Sequence, residues 1–89
     1  MTGDEHGVVL SERLRSALRL LDEGSVEDVG DAVVVKVDSV ERRYRDAIKA
    51  GALPVEPPRD EVGLGAWRRV ARLVDEETGR AVTIWSDRS

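Results

Sequence analysis

Apolar side chains recur at three- and four-residue steps in the first part of the chain, and this spacing predicts an amphipathic helix. Leu10, Leu14 and Leu18 lie on one face of it, while glutamate and arginine residues occupy the other face. A glycine with positive φ commonly ends a helix, and Gly24 stands at the end of this pattern. We therefore predict a first helix that begins near Ser11 and ends before Gly24.

The next segment predicts a short helix, followed by a stretch whose structure the pattern leaves open. Ser25 begins a capping-box spacing with Asp28 in the fourth position, which predicts a helix from about Val26 to Val33. The valine-rich stretch Val33–Val37 indicates a strand, because β-branched residues favour extended structure. The same residues also continue the helical spacing, so turn, helix and strand all stay open for them.

A third helix is predicted over residues 38–50, with Asp38 or Ser39 as its N-cap and Gly51 after its end. Apolar residues repeat at helical spacing along this segment, and arginine and lysine side chains lie between them. Residues 54–65 hold all three prolines of the chain, and this composition predicts a loop.

The last quarter of the chain predicts a β-hairpin. Arg69–Val74 and Ala81–Trp85 are its two strands, and Gly79 provides the positive φ that the turn between them needs. The apolar spacing over residues 66–77 also fits a helix, which remains the alternative for that segment.

The composition fits one small globular domain. Of the 89 residues, 40% are hydrophobic and 36% are charged, which is too apolar for a disordered chain. Trp67, Trp85 and Tyr44 are the only aromatic residues, so we expect both tryptophans to fill the small core. We expect three parts: a flexible tail (1–8), one domain (9–86) and a short second tail (87–89).

Several functional classes are not expected from this sequence. It has no cysteine for a disulfide or a thiolate metal site, and no apolar run approaches the roughly 20 residues of a membrane helix. The N-terminus lacks the basic and apolar regions of a signal peptide, so we expect a cytoplasmic protein. His6 is the only histidine and lies in the expected tail, and no acidic pair sits in an apolar context. The sequence therefore predicts a non-catalytic binding domain without a metal ion or cofactor.

The net charge of −4 is unevenly distributed along the chain. Residues 1–38 carry nine acids and four bases, whereas residues 39–89 carry nine acids and ten bases. An anionic partner is therefore expected to meet the second half.

The order and spacing of the elements carry more information than any element alone. In a tri-helical helix-turn-helix unit, two helices cross over a short turn and share one apolar wedge, and a small residue lets their backbones approach. The matching positions are Val29, Gly30, Val33, Val35, Val40 and Tyr44. With the hairpin that follows, residues 9–86 resemble a winged helix-turn-helix domain.

The resemblance implies an α+β fold, with a tri-helical helix-turn-helix core followed by a C-terminal β-hairpin as the wing. It implies that helix 38–50 enters the major groove of double-stranded DNA, and that the protein is a transcription regulator, often a homodimer. Arg42 is then the first choice for reading a guanine, since a guanidinium donates two hydrogen bonds to that base. The implied DNA-binding residues are Lys36, Ser39, Arg42, Arg43, Arg45, Lys49, Arg59, Arg68 and Arg69.

Two features leave other interpretations open. Val34 stands at the turn position where this motif normally has glycine, and a β-branched residue resists positive φ. Lys36 stands where a Ser or Thr cap is expected, so the recognition helix is expected to begin later, at Asp38 or Ser39. If Val33–Val37 is a strand, the domain is instead a small α+β sandwich. The alternative function is a protein–protein adaptor whose acidic N-terminal half, with Glu27, Asp28 and Asp31, faces a basic partner.

Overall fold

In the residues that the structure describes, the chain forms a mixed β-sheet with two helices on one of its faces. The structure is a computed structural model that describes residues 10–19, 26–28, 32–63 and 66–87. In chain order its elements are α1 (Glu12–Leu18), β1 (Val26–Asp28), β2 (Ala32–Lys36), α2 (Val40–Lys49), β3 (Leu53–Gly63), β4 (Ala66–Val74) and β5 (Ala81–Asp87).

The five strands follow the order β1-β2-β5-β4-β3 across the sheet. β2 and β5 are parallel, with Val33 opposite Val82 and Val35 opposite Ile84, and the other neighbouring pairs are antiparallel. Parallel strands cannot be joined by a tight turn, and here the chain passes from β2 to β5 through α2, β3 and β4.

Side chains alternate between the two faces of the sheet, and one face, here called the covered face, forms the core. Val33 and Val35 of β2 and Val82 and Ile84 of β5 are fully buried there. They cluster with buried residues of the two helices, namely Leu14, Leu18, Val40 and Ala47. Burial of one such large aliphatic side chain contributes about 1.5–3 kcal/mol, so this layer is the main source of stability.

Both helices begin at serine caps. The Ser11 hydroxyl accepts a hydrogen bond from the Leu14 amide at 3.2 Å, and the Ser39 hydroxyl accepts one from the Arg42 amide at 3.4 Å. Ser39 is thus confirmed as the cap of α2, and Gly51, with a φ of 106°, follows its end as predicted.

The first helix is shorter than its apolar spacing predicts. Arg19 adopts a left-handed conformation with a φ of 54°, and its amide donates to the Arg15 and Ser16 carbonyls. This geometry closes α1 after Leu18. Gly24, the predicted stop, lies outside the described residues, as do the predicted tail 1–8 and the motif positions Val29 and Gly30.

The predicted tri-helical core is wrong, although the fold is α+β. Where a helix was expected from Val26 to Val33, β1 and β2 pair antiparallel, with Val26 opposite Val35. The valine-rich stretch is the interior strand β2, because its β-branched side chains fit the pleated, buried surface. The expected C-terminal wing, β4 and β5, is likewise not an appended hairpin but part of the same sheet, next to β2.

The predicted loop 54–65 is also wrong, because residues up to Gly63 form β3. β3 is an edge strand that pairs only with β4, and its register shifts between Pro54 and Glu56 and again between Glu56 and Arg59. Proline lacks an amide hydrogen and cannot donate a hydrogen bond to a neighbouring strand. An edge strand with such irregularities has positions at which no amide donor is needed, so β3 accommodates its prolines.

The tryptophans do not fill the core as expected. Trp67 is 59% exposed on β4, and Trp85 is half-buried on the face of the sheet opposite the helices. The core is instead made of aliphatic residues. The two strands of the hairpin are confirmed, as is the positive φ of Gly79 (77°). The helical alternative for residues 66–77 is therefore wrong.

Asp75 connects the β4–β5 turn to the start of α1. Asp75 is buried, with only 2% of its surface exposed. Its carboxylate accepts hydrogen bonds from the Ser11 amide at 2.7 Å and from the Glu77 amide at 3.1 Å. A carboxylate is therefore needed at this position to satisfy two backbone donors that are far apart in sequence.

We expect Asp75→Ala to lower the free energy of unfolding by about 1–3 kcal/mol, because both amides lose their acceptor. Glu76→Ala, in the same turn but exposed, is the matched control and should change it by less than about 0.5 kcal/mol. Urea unfolding followed by circular dichroism measures both. Equal stability of the two variants would contradict the connection between the turn and α1.

Candidate functional site

Arg43 points into the protein and is not available to a ligand. It is 3% exposed, and its Nη1 donates to Asp46 Oδ2 at 3.1 Å. Its Nε lies 3.1 Å from Asp38 Oδ1, an ion pair without hydrogen-bond alignment. Arg43 therefore neutralises two of the acids of the α2 region. Ser39, another predicted DNA-binding residue, uses its hydroxyl for the helix cap.

Arg69 joins α2 to the sheet. On the covered face it donates from Nε to Glu41 of α2, and from Nη1 to Asp60 of β3 at 3.2 Å. The hydrogen bond to Glu41 is the main cause that raises the pKa of Arg69 above its usual value. Both carboxylates contact this guanidinium, so Arg69 is already paired within the protein and does not suit the predicted contact with DNA.

Three of the predicted residues form a row along α2. Arg42, Arg45 and Lys49 are exposed and spaced three and four residues apart, so they share one side of the helix. In the described part of the chain, no carboxylate lies within ion-pair distance of any of them. Arg13 of α1 extends the row, since its Nη1 donates to the carbonyl of Ala50 at 3.4 Å. We call Arg13, Arg42, Arg45 and Lys49 the basic row.

The acids of α2 and its N-cap region are neutralised within the protein, and other acids border the basic row. Asp38 and Asp46 contact Arg43, and Glu41 contacts Arg69. Glu12, next to Arg13, is exposed, and the acidic β4–β5 turn borders the row near Gly51. Arg42, Arg45 and Lys49 thus present positive charge on this side of α2, although the whole chain is negative.

The remaining predicted residues, Lys36, Arg59 and Arg68, lie on the other side of the sheet. We call this side the open face, because the described helices pack on the covered face. Lys36 forms an ion pair with Asp87 at 3.3 Å, and Arg59 contacts Glu61 at 2.6 Å. The nine predicted residues therefore do not form one site.

A ring of ion pairs crosses the open face. Arg59 contacts Glu56 at 3.6 Å as well as Glu61, and Arg72 donates from Nη1 to Glu56 and, at 3.1 Å, to Glu61. Hydrogen bonds from Arg72 first, and then from Arg59, hold the pKa of Glu61 below its usual value. Each of the four side chains thus has two partners of opposite charge within the ring.

Beside the ring, the open face has a shallow pocket of about 180 Å³ around Trp85. The Arg68 guanidinium stacks 4.4 Å from the centre of the Trp85 ring, and the Lys36 ammonium lies 5.2 Å from it. The pocket is lined by Val34, Glu61, Arg68, Val70, Arg72, Thr83 and Trp85.

Arg72, Glu61 and Trp85 were not predicted as site residues. Alternation along β4 places Arg68, Val70 and Arg72 on one face, and that signal was present in the sequence. The position of Glu61 opposite them could not be predicted, because residues 54–65 were expected to form a loop.

The acidic residues of the adaptor hypothesis are only partly described. Glu27 is exposed on the edge strand β1, Asp28 lies in the same strand, and Asp31 is outside the described residues. That hypothesis stays a prediction.

The contrast between two neighbouring arginines tests these assignments. We expect Arg43→Ala to lower the free energy of unfolding by about 2 kcal/mol, because Asp38 and Asp46 lose a buried charged partner. Arg42→Ala, on the exposed side of the same turn, should change it by less than about 0.5 kcal/mol. Urea unfolding of both variants gives the comparison, and an equal loss in the two would contradict the assignment.

The contribution of the ion-pair ring to the free energy of unfolding should depend on pH. In the folded protein the pKa of Glu61 lies below its value in the unfolded chain. The stability that Glu61 contributes is therefore fully present above the unfolded pKa, and it is lost as the pH falls through the folded pKa. Glu61→Gln should therefore be less stable than the parent by up to about 1 kcal/mol at pH 7, and this difference should shrink by about pH 3. Urea unfolding at both pH values measures it. Glu77→Gln, exposed in the β4–β5 turn, is the control and should show no such trend.

In the described part of the chain, neither helix has the length and apolar character required to cross a membrane. No family model matches the chain, and no curated protein and no solved structure is significantly similar to it.

Proposed function

We propose that this protein binds double-stranded nucleic acid through the basic row, by contacts to the phosphate backbone. The observation that carries this proposal is the arrangement of charge on the helical side. Arg42, Arg45 and Lys49 keep their charges exposed, while Asp38, Glu41 and Asp46 are paired within the protein. A surface that concentrates one sign of charge attracts a polyanion despite an opposite net charge.

The length of the row suits a nucleic acid backbone. Seven residues of helix separate Arg42 from Lys49, which is about 10.5 Å along the helix axis. Successive phosphates of one DNA strand rise about 3.4 Å each along the duplex axis, so the row spans about three of them. Each contact neutralises one phosphate and releases its counterions.

A duplex is favoured over a single strand by the exposed side chains of α1 and α2. Single-strand binding uses aromatic side chains on which bases stack. Tyr44, the aromatic residue of α2, is packed against the core, and the exposed residues of α1 and α2 in the described structure are charged or small. Phosphate contacts alone suffice for a duplex.

The proposal differs from insertion of a recognition helix into the major groove. The first turn of α2 carries Glu41, and Asp38 stands just before it, so the end of the helix that would meet base edges is acidic. Lys36, another predicted DNA-binding residue, lies on the open face, away from this helix end. Arg42 is therefore assigned to a phosphate and not to a guanine.

The test is the salt dependence of binding to a fluorescent 20-base-pair duplex, measured by anisotropy. The logarithm of the association constant should fall with the logarithm of NaCl concentration with a slope of about −3. In the double variant Arg45→Gln/Lys49→Gln, the slope should decrease in magnitude by about 2, because two phosphate contacts are lost.

The double variant Lys36→Gln/Arg59→Gln removes the same charge from the open face and should keep the parent slope. An equal decrease in both double variants would indicate general attraction and contradict the basic row. Tighter binding of a single strand of the same length would contradict the proposed preference for a duplex. No binding to either nucleic acid at 20 mM NaCl would overturn the proposal in favour of a protein partner.

A further inference from the structure

We propose that the pocket on the open face binds a small ligand that has one ring and one anionic group, a carboxylate or a phosphate. This site lies on the opposite side of the sheet from the basic row and does not depend on nucleic acid binding. Three observations support it: the state of Arg68, the lining of the pocket and the pocket's volume.

Arg68 is a cation without an acidic partner in the described structure. In the β3–β4 register Glu61 lies directly opposite Arg68, yet Glu61 contacts Arg59 and Arg72 instead. Asp87, opposite Arg68 on β5, contacts Lys36. The Nε of Arg68 is buried and has no hydrogen-bond acceptor. Arg68 lines the pocket, so an anionic group there would be the acidic partner that Glu61 and Asp87 do not supply.

The position of Arg68 is fixed before any ligand arrives. Its guanidinium stacks on Trp85, which holds the plane of its donors in place. Arg72 also lines the pocket and donates both of its hydrogen bonds to the ring from Nη1, which leaves its Nη2 for a second contact. Two guanidinium groups on one strand can therefore meet the same anionic group or its neighbour.

The rest of the pocket suits a ring. Val34, Val70 and Thr83 line it beside Trp85, so its floor is apolar with one hydroxyl group. The volume of about 180 Å³ is small, since sites for drug-sized ligands have about 300–1,000 Å³. A single ring with one anionic group matches both the size and the lining.

The test uses benzoate and phenyl phosphate as probes, with neutral benzamide for comparison. Two-dimensional ¹H–¹⁵N NMR of the full chain follows the indole N–H signal of Trp85, which the variant Trp67→Phe distinguishes from that of Trp67. We expect both anions to shift the Trp85 signal with a Kd on the order of 1 mM, as a ligand of this size allows. Benzamide should bind about tenfold more weakly or worse, and the tighter anion identifies the natural group.

Arg68→Gln should weaken the binding of the anions about tenfold or more, because a charge-assisted hydrogen bond is lost. Lys36→Gln is the matched control: Lys36 also lies over Trp85, but it is paired with Asp87 and does not line the pocket, so affinity should stay within about twofold. Arg68→Lys keeps the charge without the planar stack and should be intermediate. An equal loss in the Gln variants, equal binding of benzamide, or no shift of Trp85 at 20 mM benzoate would overturn the proposal.

Discussion

The parallel pairing of β2 with β5 determines which side chains meet the helices and which meet solvent. Its register aligns Val33 with Val82 and Val35 with Ile84, and these four residues are fully buried under α1 and α2. Side chains alternate along a strand, so the residues between them must face the other way. A slip by one residue would exchange the two faces, and burial of the valines makes such a slip costly.

Ion pairs within the protein decide where charge stays available on both sides of this sheet. On the helical side, Arg43 and Arg69 neutralise the acids of the α2 region, and Arg42, Arg45 and Lys49 remain unpaired in the described structure. On the open face, the ion-pair ring occupies Glu61 and leaves Arg68 without a carboxylate. Exposed ion pairs contribute only about 0–1 kcal/mol each to stability. Their larger effect here is on which cations can meet a partner.

The two proposed sites use positive charge in different ways. The basic row is a line of flexible, exposed side chains, which suits the regularly spaced phosphates of a polymer. In the pocket, by contrast, Arg68 is held by Trp85 beside an apolar floor, and this arrangement suits one small anion with a definite shape. The sheet separates the two sites, so a substitution in one site removes no contact of the other.

The features that depend on near neighbours follow from local sequence alone. Ser39 caps the start of α2, Gly51 follows its end, and Gly79 permits the β4–β5 turn. Caps and tight turns need particular residue types within a few positions. By contrast, the pairing of Val26 with Val35 and the position of the proline-rich β3 at an edge come from the packing of the whole fold. This packing alone also decided that Arg43 is buried between two acids while Arg42 stays exposed. These outcomes depend on partners brought together by the sheet and helix packing, and local spacing does not specify them.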